Sequence, residues 1–153
     1  MTDPAAPSDT DTPEDIEQEV ELTELPPDVP LAKLVILLNR SPEGEAGITF
    51  TVQGNVVSGH LVSGLRYFKH VRDKLSASGF EWLYDEQIEH YQSVATDELH
   101  FERELVRTKF VHLLNVTIYE GTQQIRLDAW RGRLDQVTGW SLGMLDRTPL
   151  TDD

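Results

Sequence analysis

The first thirty residues set the strongest limit on what this chain can fold into, because they carry ten acidic side chains and no lysine or arginine. Six of the eight prolines lie in the same stretch. Such a segment buries too little apolar surface to offset the entropy lost on ordering its backbone. We therefore predict a disordered acidic tail over residues 1–30, a single domain over residues 31–145 and a short polar tail over residues 146–153.

The formal net charge of −14 is concentrated in that tail. Residues 1–30 carry −10, and the remaining residues carry 13 − 17 = −4. Unselective nucleic-acid binding needs an excess of lysine and arginine, so we expect no nucleic-acid partner. The chain has no cysteine, which excludes a disulfide scaffold, a thiolate zinc site and a cysteine nucleophile.

The distribution of apolar residues also bears on where the protein resides. No apolar run approaches the roughly 18 residues of a membrane span. The start of the chain has no basic region followed by an apolar stretch, which a secretory signal would need. We therefore expect a cytoplasmic protein without a membrane partner.

Alternating apolar and polar residues predict a β-hairpin in the first part of the domain. Ile48, Phe50 and Val52 alternate with polar residues, and a second alternating run covers residues 57–62. Gly54-Asn55 between the two runs predicts a two-residue turn. Gly59 inside the second run predicts a sharp bend or a bulge.

The rest of the domain predicts helices and three more strands. The apolar stretch at residues 31–38 predicts a short helix on the sheet, and stripes beginning at Leu65 and Phe80 predict a helical pair after the second strand. Residues 110–119 and 125–134 predict strands. A turn at Val137-Thr138-Gly139 then precedes a last strand that begins at Trp140.

Together these elements predict an α+β fold. It comprises a short N-terminal helix and a curled, five-stranded, mostly antiparallel sheet, with the helical pair inserted after the second strand. A small Sm-like or SH3-like barrel is the alternative form of the same sheet.

The histidines offer weak evidence for a metal site. Glu86 and His90 are four residues apart, as are His100 and Glu104, so each pair can share one helix face. The sequence has no HExxH motif, no third ligand at a telling spacing, no G-x-S-x-G elbow and no phosphate loop. We therefore predict no catalytic, cofactor-binding or metal-binding residues.

Several strings, in their order and spacing, resemble the gas vesicle accessory protein family GvpU. The similarity extends roughly from Gly47 to Leu145. The strings that carry it are GITFTVQGNVVSG at residues 47–59, LVSGLRYF at 61–68, KFVHLLNVTIY at 109–119, WRGRL at 130–134 and GWSLG at 139–143.

The resemblance implies a non-enzymatic accessory protein that organises or clusters assembled gas vesicles. Its partners would be the vesicle shell or other gas vesicle proteins, and it could associate with itself. Weak contacts repeated over a regular shell can crosslink vesicles by avidity. The alternatives are an Sm-like nucleic-acid-binding or ring-forming module and, less well supported, a small metal-dependent hydrolase.

The residues that we select as a candidate interaction surface are Trp130, Arg131, Arg133 and Trp140. Tryptophan and arginine are enriched at the energetic centres of protein interfaces. The alternative for Trp130 and Trp140 is a place in the hydrophobic core.

Overall fold

A computed structural model of the chain describes residues 25–145. The predictions for residues 1–24 and 146–153 lie outside the described residues. The helices are α1 Val29–Asn39, α2 Gly64–Leu75, α3 Asp85–Thr96 and α4 Phe101–Arg107. The strands are β1 Glu45–Val52, β2 Asn55–Val62, β3 Phe110–Glu120, β4 Gln123–Arg133 and β5 Val137–Leu142. Single 3₁₀ turns occupy Ser76–Ser78, Glu81–Tyr84 and Leu134–Gln136.

All five strands form one antiparallel sheet in the order β4-β3-β2-β1-β5. The first and last strands in this order are joined by one 3₁₀ turn, and they do not pair with each other within residues 25–145. The sheet is therefore curled and open. This confirms the predicted α+β fold with a curled sheet, and the closed-barrel alternative does not form.

The β1–β2 hairpin is confirmed, but its turn lies one residue earlier than predicted. Gln53 and Gly54 form the turn, with φ of 50° and 81°, and Asn55 pairs with Val52 as the first residue of β2. A two-residue hairpin of this type needs positive φ at both central residues. Gly54 therefore occupies the second turn position, and Gln53 occupies the first, where a positive φ is strained for a residue with a side chain.

The bend predicted at Gly59 is also confirmed. The register between β2 and β3 shifts by one residue beside Gly59, where Asn115 of β3 adopts a φ of 52°. A Cβ atom at Gly59 would lie 3.1 Å from the carbonyl oxygen of Leu114. The glycine therefore lets the bulged strand approach closely and helps the sheet to curl.

Helix α1 covers the inner face of the curled sheet. Its buried apolar side chains are Leu31, Ala32, Val35, Ile36 and Leu38. They pack against inward-facing strand residues that include Ile48, Phe50, Val57, Leu61, Val111 and Leu113. These residues form the main core and confirm the helix predicted at residues 31–38.

Asp28 explains why α1 begins at Val29, two residues before the predicted start. Its Oδ1 accepts a hydrogen bond of 3.0 Å from the backbone N–H of Leu31, and Pro30 occupies the first turn, where a missing N–H costs nothing. Its Oδ2 accepts a hydrogen bond of 2.7 Å from Nε1 of Trp140 on β5. One carboxylate thus joins the start of the first helix to the last strand.

Replacing Asp28 by alanine therefore removes two contacts at once. We expect the free energy of unfolding to fall by about 1–2 kcal/mol. Trp140→Phe removes the indole hydrogen bond together with part of a ring that packs against the core, so a double-mutant cycle with Asp28→Ala isolates the hydrogen bond. Urea unfolding of both variants and of the double variant measures these costs. A coupling energy equal to the whole loss for Asp28→Ala would show that the helix cap contributes nothing.

Two sequence predictions for the later elements are wrong in detail. The residues predicted as a turn, Val137-Thr138-Gly139, lie inside β5, and the chain turns instead at Leu134–Gln136. The insertion after β2 holds three helices rather than a pair, because α4 was not predicted. Only Leu105 of α4 is buried, so its apolar pattern is too short to show a helical period.

Candidate interaction surfaces

A second, smaller cluster lies between the outer face of β3 and helices α2 and α3. Its centre is His112, whose ring centroid lies 4.9 Å from that of Tyr67 and 5.6 Å from those of Phe68 and Tyr91. Ile88 of α3 and Leu65 of α2 complete its buried part. The cluster fixes the two helices on the sheet.

His112 is a buried and neutral histidine. It is 1% exposed, and Nε of Arg131 donates a hydrogen bond of 3.1 Å to its Nε2. Burial, and secondly the charge of Arg131, lower the pKa of His112 to about 3. Its Nδ1 is buried and finds no hydrogen-bond partner within the described part of the chain. The ring therefore serves as an acceptor that orients Arg131.

Arg131 is held in place on its other side by aromatic rings. Its guanidinium carbon lies 3.4 Å from the ring centroid of Phe110 and 5.6 Å from that of Phe68. Burial raises the pKa of the neighbouring Tyr91. Because Arg131 as a residue is still exposed to solvent, it presents a cation with a defined position.

The four residues selected from the sequence do not form one surface. Trp130 and Trp140 are half-buried and pack against the main core from opposite edges of the sheet. The ring of Trp130 covers Gly132, where a Cβ atom would lie 2.2 Å from it. Successive side chains of β4 point to opposite faces of the sheet, so Arg131 and Arg133 lie on the outer face, opposite Trp130. Arg133 is ion-paired with Asp135.

The sequence reasoning missed an exposed apolar surface at the turn between α2 and α3. Phe80, Trp82 and Leu83, which we call the aromatic turn, are 55%, 62% and 49% exposed. Phe80 and Leu83 belong to the helical stripe that the sequence predicts from Phe80 onward. Gly79, with φ of 78°, ends the 3₁₀ turn that follows α2 and separates these side chains from that helix. Trp82 is the residue from which this exposed surface could have been predicted, because it lies outside that stripe.

Strand β4 is a free edge of the sheet. It pairs with β3 on one side and with no other strand in residues 25–145. Ile125 and Leu127 on it are 40% and 38% exposed. An edge strand that carries exposed apolar side chains can accept another strand.

The two Glu/His pairs do not develop into a metal site in the described residues. No group of three or more histidine, aspartate or glutamate side chains is placed to hold a metal ion there. The same part of the chain has no helix with the length and apolar character that crossing a membrane requires.

A family model described as gas vesicle protein GvpU-like matches residues 28–145, which is most of the chain. The chain belongs to the GvpU-like gas vesicle protein family. No curated protein and no solved structure matches it.

The GvpU-like region begins at Asp28, the residue that caps α1. It therefore includes every helix and strand described above, together with the aromatic turn and the free edge of β4. All but one of the acidic residues in the first thirty lie outside it.

Proposed function

We propose that this GvpU-like protein is a non-enzymatic accessory protein that binds assembled gas vesicles in the cytoplasm and clusters them. Family membership supports the link to gas vesicles. The exposure of the aromatic turn is the observation that supports a contact with the shell. Each contact can be weak, because a shell of repeated subunits binds many copies at once.

The aromatic turn has the chemistry of a docking element. Its three apolar side chains are each about half exposed or more, although neighbouring aromatic residues such as Tyr84 and Tyr91 pack against the helices. Adjacent apolar side chains that the fold leaves uncovered mark interaction sites. Tryptophan contributes strongly when it is buried in an interface.

Clustering also needs a contact between copies, and the free edge of β4 supports one. Two copies that pair their β4 strands antiparallel form a symmetric dimer. Ile125 and Leu127 of each copy would then gain a neighbour across the new strand pair. Such a dimer presents two aromatic turns, and it can bridge two vesicles.

Removing the aromatic turn tests the shell contact. We expect Phe80→Ser with Trp82→Ser to weaken binding to purified gas vesicles about tenfold, because both side chains lose their buried area in the complex. Co-flotation of the protein with vesicles at increasing protein concentration measures this. The matched control replaces two equally exposed leucines, Leu37→Ser with Leu142→Ser, and keeps wild-type binding. Equal binding by both double variants would refute the proposed contact.

Blocking the edge of β4 separates clustering from binding. We expect Leu127→Lys to abolish vesicle clustering, because an added charge on an edge strand opposes pairing, and to leave co-flotation unchanged. Turbidity of a vesicle suspension reports the clustering. Gln92→Lys adds the same charge at an exposed position of α3, away from this edge, and is the control. Clustering by Leu127→Lys at the wild-type level would remove β4 from the mechanism.

A further inference from the structure

Three cationic side chains line one groove on the outer face of the molecule. Arg107 is the last residue of α4, Lys109 precedes β3, and Arg131 lies on β4. We call their cavity, of about 400 Å³, the basic groove. Phe68, Tyr91, Phe110 and the polar residues Glu86, Gln87 and His90 complete its lining.

The cations of the basic groove lack carboxylate partners. None of the three forms an ion pair with a carboxylate of residues 25–145, although the chain has twice as many acidic residues as basic ones. Glu86 is the single acid in the lining. His112 and Phe110 hold Arg131 in a fixed position. The groove is therefore prepared for an anionic and partly apolar occupant.

The described part of the chain begins beside this groove, directly after the acidic residues 14–24. Leu25, Pro26 and Pro27 line a cavity of about 480 Å³ together with Lys109 and Phe110, which also line the basic groove. An extended chain covers about 3.3–3.6 Å per residue. Residues 14–24, which directly precede Leu25, can therefore reach the groove without a long loop.

The sequence of residues 14–24 complements the groove. Its acids outnumber its bases six to none, and the acids are Glu14, Asp15, Glu17, Glu19, Glu21 and Glu24. Ile16, Val20 and Leu22 are interspersed among them and suit the aromatic walls. A short tether gives such a segment a high effective concentration at the groove.

We propose that acidic residues 14–24 bind the basic groove of the same chain. The carboxylates neutralise Arg107, Lys109 and Arg131, and the apolar side chains contact the aromatic walls. An acidic partner that uses this groove must first displace the segment. The charge of residues 14–24 therefore regulates access to a specific surface.

The absence of cysteine permits a direct test on the full chain. A spin label attached to Gln18→Cys is expected to broaden the amide NMR signals of Lys109, Phe110 and Arg131 in the same molecule. A label at Thr122→Cys, in the turn at the end of the β3–β4 hairpin that lies far from the groove, is the control and is expected to leave these signals sharp. High salt is expected to restore the signals, since it screens the charge interactions.

Mixing labelled and unlabelled chains identifies which molecule supplies the segment. A spin-labelled chain without ¹⁵N, mixed with a ¹⁵N chain without the spin label, is expected to leave the groove signals sharp. Broadening of those signals in the mixture alone would assign the occupant to a second copy and overturn the proposal. Broadening in neither sample would overturn it as well.

Charge variants supply an independent measurement. Glu19→Gln, Glu21→Gln and Glu24→Gln together are expected to abolish the broadening, whereas Asp3→Asn, Asp9→Asn and Asp11→Asn together leave it intact. On the groove side, Arg107→Gln with Lys109→Gln is expected to abolish it. Lys69→Gln with Arg126→Gln makes the same charge change outside the groove and is the control. Equal effects of matched variants would show that only net charge matters, and would refute the proposed site.

Discussion

Acidification from pH 7 to about pH 4.5 is expected to remove about 2–3 kcal/mol of folding stability through His112 alone. The pKa of this ring is about 3 in the folded protein, and the ordinary histidine value is 6.5. The unfolded chain therefore binds a proton that the folded chain excludes. The contribution of His112 to stability is complete above about pH 6.5 and declines as the pH falls towards 3.

His112→Gln isolates this effect from the many carboxylates that titrate in the same range. The glutamine can still accept a hydrogen bond from Arg131, and it has no charged form. Urea unfolding at pH 7 and at pH 4.5 is expected to show a smaller acid-induced loss for this variant than for the wild type. Replacing the exposed His100 by glutamine is the control for loss of a histidine, and it keeps the wild-type loss.

An NMR titration of the intact protein gives the same answer without a variant. The ring signals of His112 are expected to remain those of a neutral imidazole at pH 4.5. A protonated ring at that pH, with Arg131 still in place, would contradict the assignment of His112 as a buried acceptor.

Gly64→Ala is expected to destabilise the protein by about 1–3 kcal/mol. An added Cβ would lie 2.3 Å from the ring of Tyr91, which packs against Phe68 and His112. The ring cannot move without disturbing the smaller cluster. The backbone N–H of Gly64 also donates to Oδ1 of the buried Asn39, so the helix start cannot shift away easily.

Two further variants test this cause. Gly139→Ala is the matched control, because no atom lies within 4 Å of its added Cβ, and it is expected to be nearly neutral. Tyr91→Leu is expected to reduce the cost of Gly64→Ala in a double-mutant cycle, since the smaller side chain vacates the contact. A full cost for Gly64→Ala on the Tyr91→Leu background would show that the ring is not responsible.

The strands were predictable from the sequence because their signal is local. Alternation over residues 48–62 specifies the first hairpin, and Gly59 marks the bulge from the sequence alone. The predicted turns were misplaced where the identity of a single residue was the evidence for a turn. Gln53 carries no signal of a positive φ, and Thr138 fits a turn and a strand equally well.

The surfaces were harder to predict, because they depend on which face each element buries. Trp130 and Arg131 are adjacent in sequence and lie on opposite faces of β4. The basic groove joins residues from α4, β3 and β4, and no sequence spacing predicts that meeting. The aromatic turn was missed because a stripe that continues from Phe80 to Ala95 looks like one helix, although Glu81–Tyr84 is a 3₁₀ turn and the α-helix begins only at Asp85.

The position of β5 beside β1 also determines when the protein can complete its fold. Phe50 pairs with Trp140, so the inner strand of the first hairpin lacks its neighbour until nearly the whole domain has been synthesised. At ordinary rates of translation, this interval lasts roughly 5–20 s. During that time one side of β1 is an open template for strands of other nascent chains. The newly made chain is thus most prone to aggregate just before its last strand leaves the ribosome.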